Sequence, residues 1–281
     1  AVAATVAAVV VLGGLPGTTS APEPGPATST TEPSLTPETG RLVLPVFFLG
    51  DTPAGTRLYQ ENRRGDGVED ALRLALAGDA FDADYRSSWP ADTSIESFET
   101  GAGETDTIHL AAESDLTARP AGLSAADAAM SVQQLVRTAE AGELTAGRSV
   151  RFVVDGDELS RLLGVDVSSP VRPGDGDAVM APVLIDNIPA QVRARRLPPL
   201  VSPFTVRGRA AAFEANVQWE LSDGDTVVRR GFTTARECCT LSPYSFTVTA
   251  PPGEYVLVVH GEDASGEGRP VAQDTKEIVV R

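Results

Sequence analysis

An alternating stretch between residues 204 and 221 constrains the fold of this chain more than any other feature. Polar residues separate a series of apolar ones: Phe204, Val206, Phe213, Ala215, Val217, Trp219 and Leu221. A period of two places apolar side chains on one face of a strand and polar side chains on the other. Pro203 begins the run, and Gly208 permits a bend or bulge. The stretch therefore predicts two strands of an antiparallel sheet with one face in water.

The charge balance is strongly acidic. The 281 residues include 39 Asp and Glu against 23 Lys and Arg, a formal net charge of −16, and Lys276 is the only lysine. This charge repels phosphate backbones and anionic lipids, so we expect no nucleic-acid partner. Hydrophobic residues make up 42% of the chain, which is enough to bury the cores of roughly two domains.

The first 40 residues differ in composition from the rest. Residues 1–15 form an apolar run, shorter than the roughly 20 residues that span a bilayer. We read this run as a signal-peptide core or part of a membrane anchor, with a buried helix as the alternative. Residues 16–40 are rich in Pro, Ser and Thr, which predicts a disordered tether. We therefore expect an extracytoplasmic protein, anchored or secreted, that touches a membrane only through its N-terminal segment.

Residues 41–171 predict an α+β domain. The predicted elements are strands at 42–49, 56–61, 94–98, 107–111 and 149–154, and helices at 66–77 and 124–141. Asp66 and Glu69 have the spacing of a capping box at the first helix, and Ser124 is the predicted N-cap of the second. This order predicts an antiparallel-rich sheet with two helices over one face.

Residues 198–281 predict an all-β sandwich. After the alternating stretch, further strands are predicted at 226–229, 244–249, 255–260 and 277–280, separated by turn sequences. Residues 172–197 form a Pro-punctuated linker with one predicted strand at 183–185. We expect the two domains to fold as separate units.

Two family resemblances follow from these motifs. Residues 42–171 resemble the GerMN domain of sporulation and germination proteins through Leu58-Tyr59, the helix end Ala71 to Gly78, the helix leading to Arg137-Thr138, the strand Val150 to Gly156, and Leu163 to Ser168. Residues 198–280 resemble the immunoglobulin-like domain of bacterial spore germination proteins through Ser202-Pro-x-x-Val206-x-Gly208-x-Ala210-x-x-Phe213-Glu-Ala-x-Val217, with Arg230 to Thr234 and Tyr244 to Phe246. The loop 115–122 and the pair Cys238-Cys239 depart from these families. The resemblance implies a role in protein assemblies of the envelope.

Paired acids are the first candidates for chemistry. Asp82 and Asp84, like Asp175 and Asp177, have oxygen atoms that suit calcium. Neither pair has the further carboxylates of a calcium loop, so we interpret all four as solvated turn residues.

The two histidines are the next candidates. His109 and His260 each lie in a predicted strand, without an orienting partner or a nucleophile nearby in sequence. Gly101-x-Gly103 is not followed by a helix that would complete a phosphate loop. We therefore assign no catalytic, cofactor-binding or metal-binding residue and expect no cofactor.

The two cysteines are adjacent in sequence. Cys238 and Cys239 allow a strained disulfide between neighbours, a pair between molecules, or buried thiols. We favour two thiols on opposite faces of a strand.

The sequence thus predicts a non-enzymatic, extracytoplasmic protein of the bacterial cell envelope, of the sporulation or germination type, that mediates protein-protein or cell-wall interactions. The alternative is an enzyme or ligand sensor that binds or hydrolyses cell-wall polymer. Binding is expected at sheet edges and loops, because unpaired edge strands are templates for strand addition. The soluble part is expected to be monomeric, since its negative charge keeps copies apart.

Overall fold

The computed structural model describes residues 42–143, 147–187, 199–263 and 266–281. The predicted apolar segment at 1–15 and the tether at 16–40 lie outside these ranges, as does the end of the predicted linker. Within the described ranges, every helix is too short or too polar to cross a membrane.

The first half contains two helices, a two-stranded hairpin and a separate four-stranded sheet. Its elements are β1 (Leu42–Thr52), β2 (Gly55–Gly65), α1 (Val68–Ala77), β3 (Ser94–Glu99), β4 (Thr105–Ala111), α2 (Ala125–Glu143), β5 (Ser149–Val154), β6 (Asp157–Glu158), β7 (Arg161–Leu162) and β8 (Val165–Asp166). β1 pairs with β2, and the order in the larger sheet is β3-β4-β5-β6. β4 and β5 are parallel, because α2 connects them as a crossover.

The two helices bury one face each and begin differently. α1 buries residues at helical spacing and ends at Gly78, which has a left-handed φ of 66°. The predicted capping box is wrong: Gly67 is the N-cap, and the carboxylate of Glu69 instead accepts a hydrogen bond from the Phe98 N–H at 3.2 Å. In α2 the prediction is confirmed, since the Asp127 N–H donates to Ser124 Oγ at 3.0 Å.

The second half is a β-sandwich. Its elements are α3 (Gly176–Val179), β9 (Val183–Asn187), β10 (Phe204–Ala210), a 3-10 turn (Phe213–Ala215), β11 (Asn216–Asp223), β12 (Thr226–Thr234), β13 (Ser242–Val248), β14 (Gly253–His260) and β15 (Gln273–Val280). One sheet has the order β13-β10-β9, and the other has the order β12-β11-β14-β15. The predicted fold class, an α+β region followed by an immunoglobulin-like sandwich, is confirmed.

The prediction that the alternating stretch forms two strands of one sheet is wrong. β10 and β11 each alternate as predicted, but they lie in different sheets. Between them the 3-10 turn reverses the chain, with positive φ at Glu214 and Ala215. Phe213 therefore leaves the apolar face and is 53% exposed.

The strand β9 connects the two hydrophobic cores. It pairs with β10, and the register shifts between Arg207 and Gly208, where the unpaired extra residue is Asp186 of β9 rather than Gly208. Leu184 packs in the core of the first half, while Val183 and Ile185 pack in the core of the sandwich. The described parts of both halves form one compact unit. The expectation that each half also folds by itself stays a prediction.

A buried polar network joins the halves beside β9. Lys276 Nζ lies 2.6 Å from Asp82 Oδ2 and 2.9 Å from Asp274 Oδ1. The Tyr85 hydroxyl donates to Asp274 Oδ1 at 2.7 Å, and the Ile185 N–H donates to Asp274 Oδ2 at 2.6 Å. The side chain of Asp82 is only 9% exposed, so its interpretation as a solvated turn residue is wrong: it compensates the charge of the buried lysine.

Further contacts extend this interface. Thr275 Oγ1 donates to Asp84 Oδ2 at 2.8 Å, so Asp84 is also an interface residue. Arg209 binds both carboxylate oxygens of Asp186 at 2.7 Å and donates to Gln60 Oε1 at 2.9 Å. The halves are therefore joined by polar groups that have partners on both sides.

The cysteines form a disulfide, so the favoured prediction of two thiols in a strand is wrong. Cys238 and Cys239 lie in the loop between β12 and β13, with their Cα atoms 3.8 Å apart. Cys239 has a φ of 71°. Neighbouring side chains point to opposite faces only where the backbone is extended. Because Cys239 has a left-handed backbone conformation, its side chain does not point away from that of Cys238.

Replacing Lys276 with methionine (Lys276→Met) removes the cation of the network and leaves Asp82 and Asp274 buried side by side. Because an uncompensated buried charge is strongly unfavourable, we expect the free energy of unfolding to fall by about 3–5 kcal/mol. Urea denaturation measures this change. The control Arg73→Met breaks an exposed ion pair with Glu69 on α1 and should cost at most about 1 kcal/mol. Equal losses would contradict the role of Lys276.

The same network predicts alkaline destabilisation. Burial raises the pKa of Tyr85 well above its ordinary value, and Asp274 and Asp82 raise it further. Burial disfavours the charge of Lys276, but the same two carboxylates outweigh this effect and raise its pKa. Both groups therefore keep their protons in the folded chain at a pH at which the unfolded chain loses them.

Their contribution to stability is fully present below the ordinary pKa values of about 10 and is lost as the pH rises above them. We expect the free energy of unfolding to fall from about pH 10 upward, and to fall less steeply in Tyr85→Phe. Urea titrations at a series of pH values measure the two slopes. Identical slopes would refute the assignment.

Candidate functional site

The outer face of the four-stranded sheet of the sandwich carries an aromatic residue among polar ones. Gln218 on β11 lies opposite Phe232 on β12 and opposite His260 on β14. Glu220 lies opposite Arg230 in the next row. On β11, Val217 and Leu221 face the core. Gln218 and Glu220 alternate with them, so these side chains and their cross-strand neighbours point away from the core. We call these five side chains the outer face.

A shallow cleft of about 420 Å³ lies on this face. Its lining residues are Asn216, Gln218, Trp219, Glu220, Arg230, Gly231, Phe232 and His260. Phe232 is 75% exposed, although an aromatic ring is among the side chains that gain most from burial. The ring lies beside several hydrogen-bonding groups in this cleft, so the cleft combines an apolar surface with polar groups.

Several polar groups of the cleft have unused hydrogen-bonding capacity. Within the described part of the chain, the side chains of Gln218, Glu220 and Arg230 have no hydrogen-bond partner. His260 Nδ1 donates to the Gly261 carbonyl at 2.7 Å, so Nε2 is an acceptor in the neutral ring. Asn216 Nδ2 donates to Glu262 at 2.7 Å. The side-chain oxygen Oδ1 of Asn216 is then the atom that can accept a hydrogen bond from a ligand. The cleft thus offers both donors and acceptors.

Gly231 and Trp219 support the outer face from beneath. The Trp219 ring stacks on Phe246 of the opposite sheet, with ring centroids 5.0 Å apart and planes within 3°. A Cβ atom at Gly231 would lie 2.7 Å from the Trp219 ring, so only glycine leaves room for this ring. The sequence predicts only residues 226–229 of this strand and gives Phe232 no binding role, whereas the structure extends β12 to Thr234.

Among the described residues, β12 is also a free edge of its sheet. It is the terminal strand in the order β12-β11-β14-β15, has nine residues and is largely exposed. At the far side of the sheet, by contrast, Leu200 covers β15: its N–H donates to the Val279 carbonyl at 2.6 Å. Backbone groups on the open side of β12 are therefore available to a partner strand.

A second cleft of about 340 Å³ lies in the first half, where loop 115–122 departs from the family pattern. The Leu163 N–H donates to the Leu116 carbonyl at 2.7 Å, and the Gly164 N–H to the Thr117 carbonyl at 3.1 Å. These bonds hold the loop against the β7-β8 hairpin.

The structure separates most of the residues that the sequence singled out. His260 belongs to the outer face, whereas His109 lies in the first half with Nε2 at 3.6 Å from Glu99 Oε1. Asp175 caps α3 by accepting from the Asp177 N–H at 3.2 Å, and Asp177 accepts from the Leu241 N–H at 2.8 Å. Both acids are exposed, as predicted, but Asp177 lies within α3 and not in a turn.

Gly101 and Gly103 lie in the loop between β3 and β4. The Gly101 carbonyl accepts a hydrogen bond from Arg148 Nη2 at 3.0 Å, which ties this loop to β5. In the ranges that the structure describes, no three His, Cys, Asp or Glu side chains are grouped as metal ligands.

Comparisons with known proteins agree with this architecture. Residues 45–160 match the family described as sporulation and spore germination, named Germane. Residues 198–267 match the family described as the immunoglobulin-like domain of bacterial spore germination, named Gmad2. Neither is a known enzyme family.

Other comparisons add little. No curated protein matches the chain. A solved crystal structure of an engineered protein is 17% identical over 37% of this chain and 21% of its own length, with a TM-score of 0.25, which is too low to support an argument about fold. The family assignments therefore rest on the two matched regions: the chain contains a Germane domain of the sporulation and germination type, followed by the immunoglobulin-like Gmad2 domain.

Proposed function

We propose that the chain is a non-enzymatic, extracytoplasmic interaction protein of the sporulation or germination type, and that its second domain binds an envelope partner. The observation that carries this proposal is the free edge of β12 together with the exposed Phe232 beside it. Both matched families are described by sporulation or germination, which supports a role in the same processes.

Strand addition fits the geometry of β12. A partner segment in extended conformation would hydrogen-bond to the open side of this strand, and its side chains would reach exposed positions such as Val227 and Phe232. Thr233 Oγ1 donates to the Ser245 carbonyl of β13 at 3.0 Å, so the end of the edge is held in place. Because this end of the edge is already held in place, β12 itself loses less conformational entropy on binding.

The buried ionisable groups support a non-enzymatic role. Asp82, Tyr85, Asp274 and Lys276 resemble a catalytic cluster in composition, but they bind one another and join the two halves. Neither of the two clefts described above includes any of them. A general acid or base has to reach its substrate, and these groups are enclosed by the protein.

The N-terminal sequence supports the proposed location. Residues 1–15 are apolar and residues 16–40 are rich in Pro, Ser and Thr, a composition that suits export or anchoring followed by a tether. The location has a direct test: a protease added to intact cells should degrade the chain while a cytoplasmic control protein survives. Protection of the chain until the cells are lysed would contradict the proposal.

The absence of hydrolytic activity is a further expected outcome. Purified residues 41–281 should release no soluble fragments or new reducing ends from peptidoglycan, because the buried acids are engaged as interface groups. A muramidase on the same substrate is the positive control. Release of fragments by the protein would instead favour the alternative, an enzyme that hydrolyses cell-wall polymer.

Charge on the edge strand should block a partner that adds a strand. We expect Val227→Lys on β12 to weaken capture of a specific envelope protein by about tenfold or more, since charged edge residues oppose strand pairing. Val256→Lys is the matched control, because Val256 lies in the same row on the central strand β14. Quantitative pull-down from envelope extracts measures both, and equal effects would argue against the edge.

A further inference from the structure

We propose that the outer face binds a glycan strand made of N-acetylated amino sugars. This inference rests on the proposed extracytoplasmic function, since it names the partner of the same domain. It concerns the face of the sheet, where side chains project, rather than the β12 edge. The ligand class follows from the aromatic ring, the polar groups, the charge and the dimensions of the face.

Phe232 supplies an apolar platform. Its side chain is 75% exposed and projects from a four-stranded sheet, so most of the ring surface is accessible to a ligand. The C–H groups on one side of a pyranose ring are apolar and stack on such a platform, while the hydroxyls point outward.

The polar side chains around Phe232 match that rim. Gln218, Glu220 and Arg230 are planar groups without partners in the described part of the chain, and His260 keeps Nε2 as an acceptor. A planar amide, carboxylate or guanidinium has two hydrogen-bonding atoms at a spacing that suits adjacent hydroxyls. The cleft therefore offers donors and acceptors for a neutral polyol.

Asn216 favours an acetamido group. Its Nδ2 donates to Glu262 Oε2 at 2.7 Å, and this bond fixes the orientation of the side-chain amide. Asn216 Oδ1 is therefore presented as an acceptor, which suits the N–H of an acetamido substituent. Gln218, in the next row, can both donate to the carbonyl of such a group and accept from a hydroxyl.

The charge of the outer face and the length of its longest row of side chains agree with a neutral glycan ligand. Arg230 lies opposite Glu220, so these two charges offset each other, while the net charge of −16 repels polyanions. The row from Phe232 through Gln218 and His260 to Gln273 crosses three inter-strand spacings, roughly 14 Å or about three sugar rings.

The test uses a soluble hexamer of β-1,4-linked N-acetylglucosamine as the probe, with maltohexaose as the comparison. Isothermal titration and chemical-shift mapping on residues 41–281 should show binding of the first sugar and shifts at β11, β12 and β14. We expect Phe232→Ser and Gln218→Ala each to weaken binding by about tenfold or more. Phe213→Ser removes another exposed phenylalanine of the same domain and should leave binding unchanged.

Each outcome bears on the proposal. Equal weakening by Phe213→Ser, equal binding of both sugars, or no binding of the hexamer at about 1 mM would overturn it. Since Phe232 and Gln218 lie on the surface, circular dichroism should show both variants folded. Capture of a protein through the β12 edge without glycan binding would overturn this inference and leave the proposed function standing. Hydrolysis of the bound hexamer would contradict the proposed function and leave the ligand class intact.

Discussion

The two halves of this protein depend on one buried cation. Lys276 is the only lysine of the chain, yet it lies in the interior, between Asp274 of its own strand and Asp82 of the first half. A buried ion pair often adds little net stability over apolar residues of the same size, whereas loss of one partner is costly. We therefore interpret the network as a determinant of alignment: it fixes how β15 meets the loop that carries Tyr85.

This use of ionisable groups separates the interior from the surface. The acids and the lysine that resemble catalytic machinery are engaged in joining the halves, while Gln218, Glu220 and Arg230 on the outer face have no partner among the described residues. Binding is thus expected at the outer face, where Phe232 is exposed, and not at the buried network, where the pKa values of Tyr85 and Lys276 are raised. An unusual pKa often marks an active site, but an ion-pair network between packed halves produces the same signal.

The outer face in turn depends on the packing beneath it. Trp219 points inward and stacks on Phe246, and Gly231 leaves the space that the Trp219 ring occupies. The next residue, Phe232, consequently points outward on the same strand. The stacked rings connect the two sheets, so the exposed ring rests on a rigid base. This arrangement couples the core of the sandwich to its candidate binding surface.

The sequence by itself determined the local elements and the fold class. Period-two alternation found β10 and β11, Gly78 marked the end of α1, and Ser124 marked the start of α2, because these signals act between near neighbours. Only the tertiary structure decided which sheet each strand joins, that Asp82 is buried, that Cys238 and Cys239 form a disulfide, and that β9 serves both cores. Those outcomes depend on residues far apart in sequence, such as Asp82 and Lys276, whose proximity no local pattern encodes.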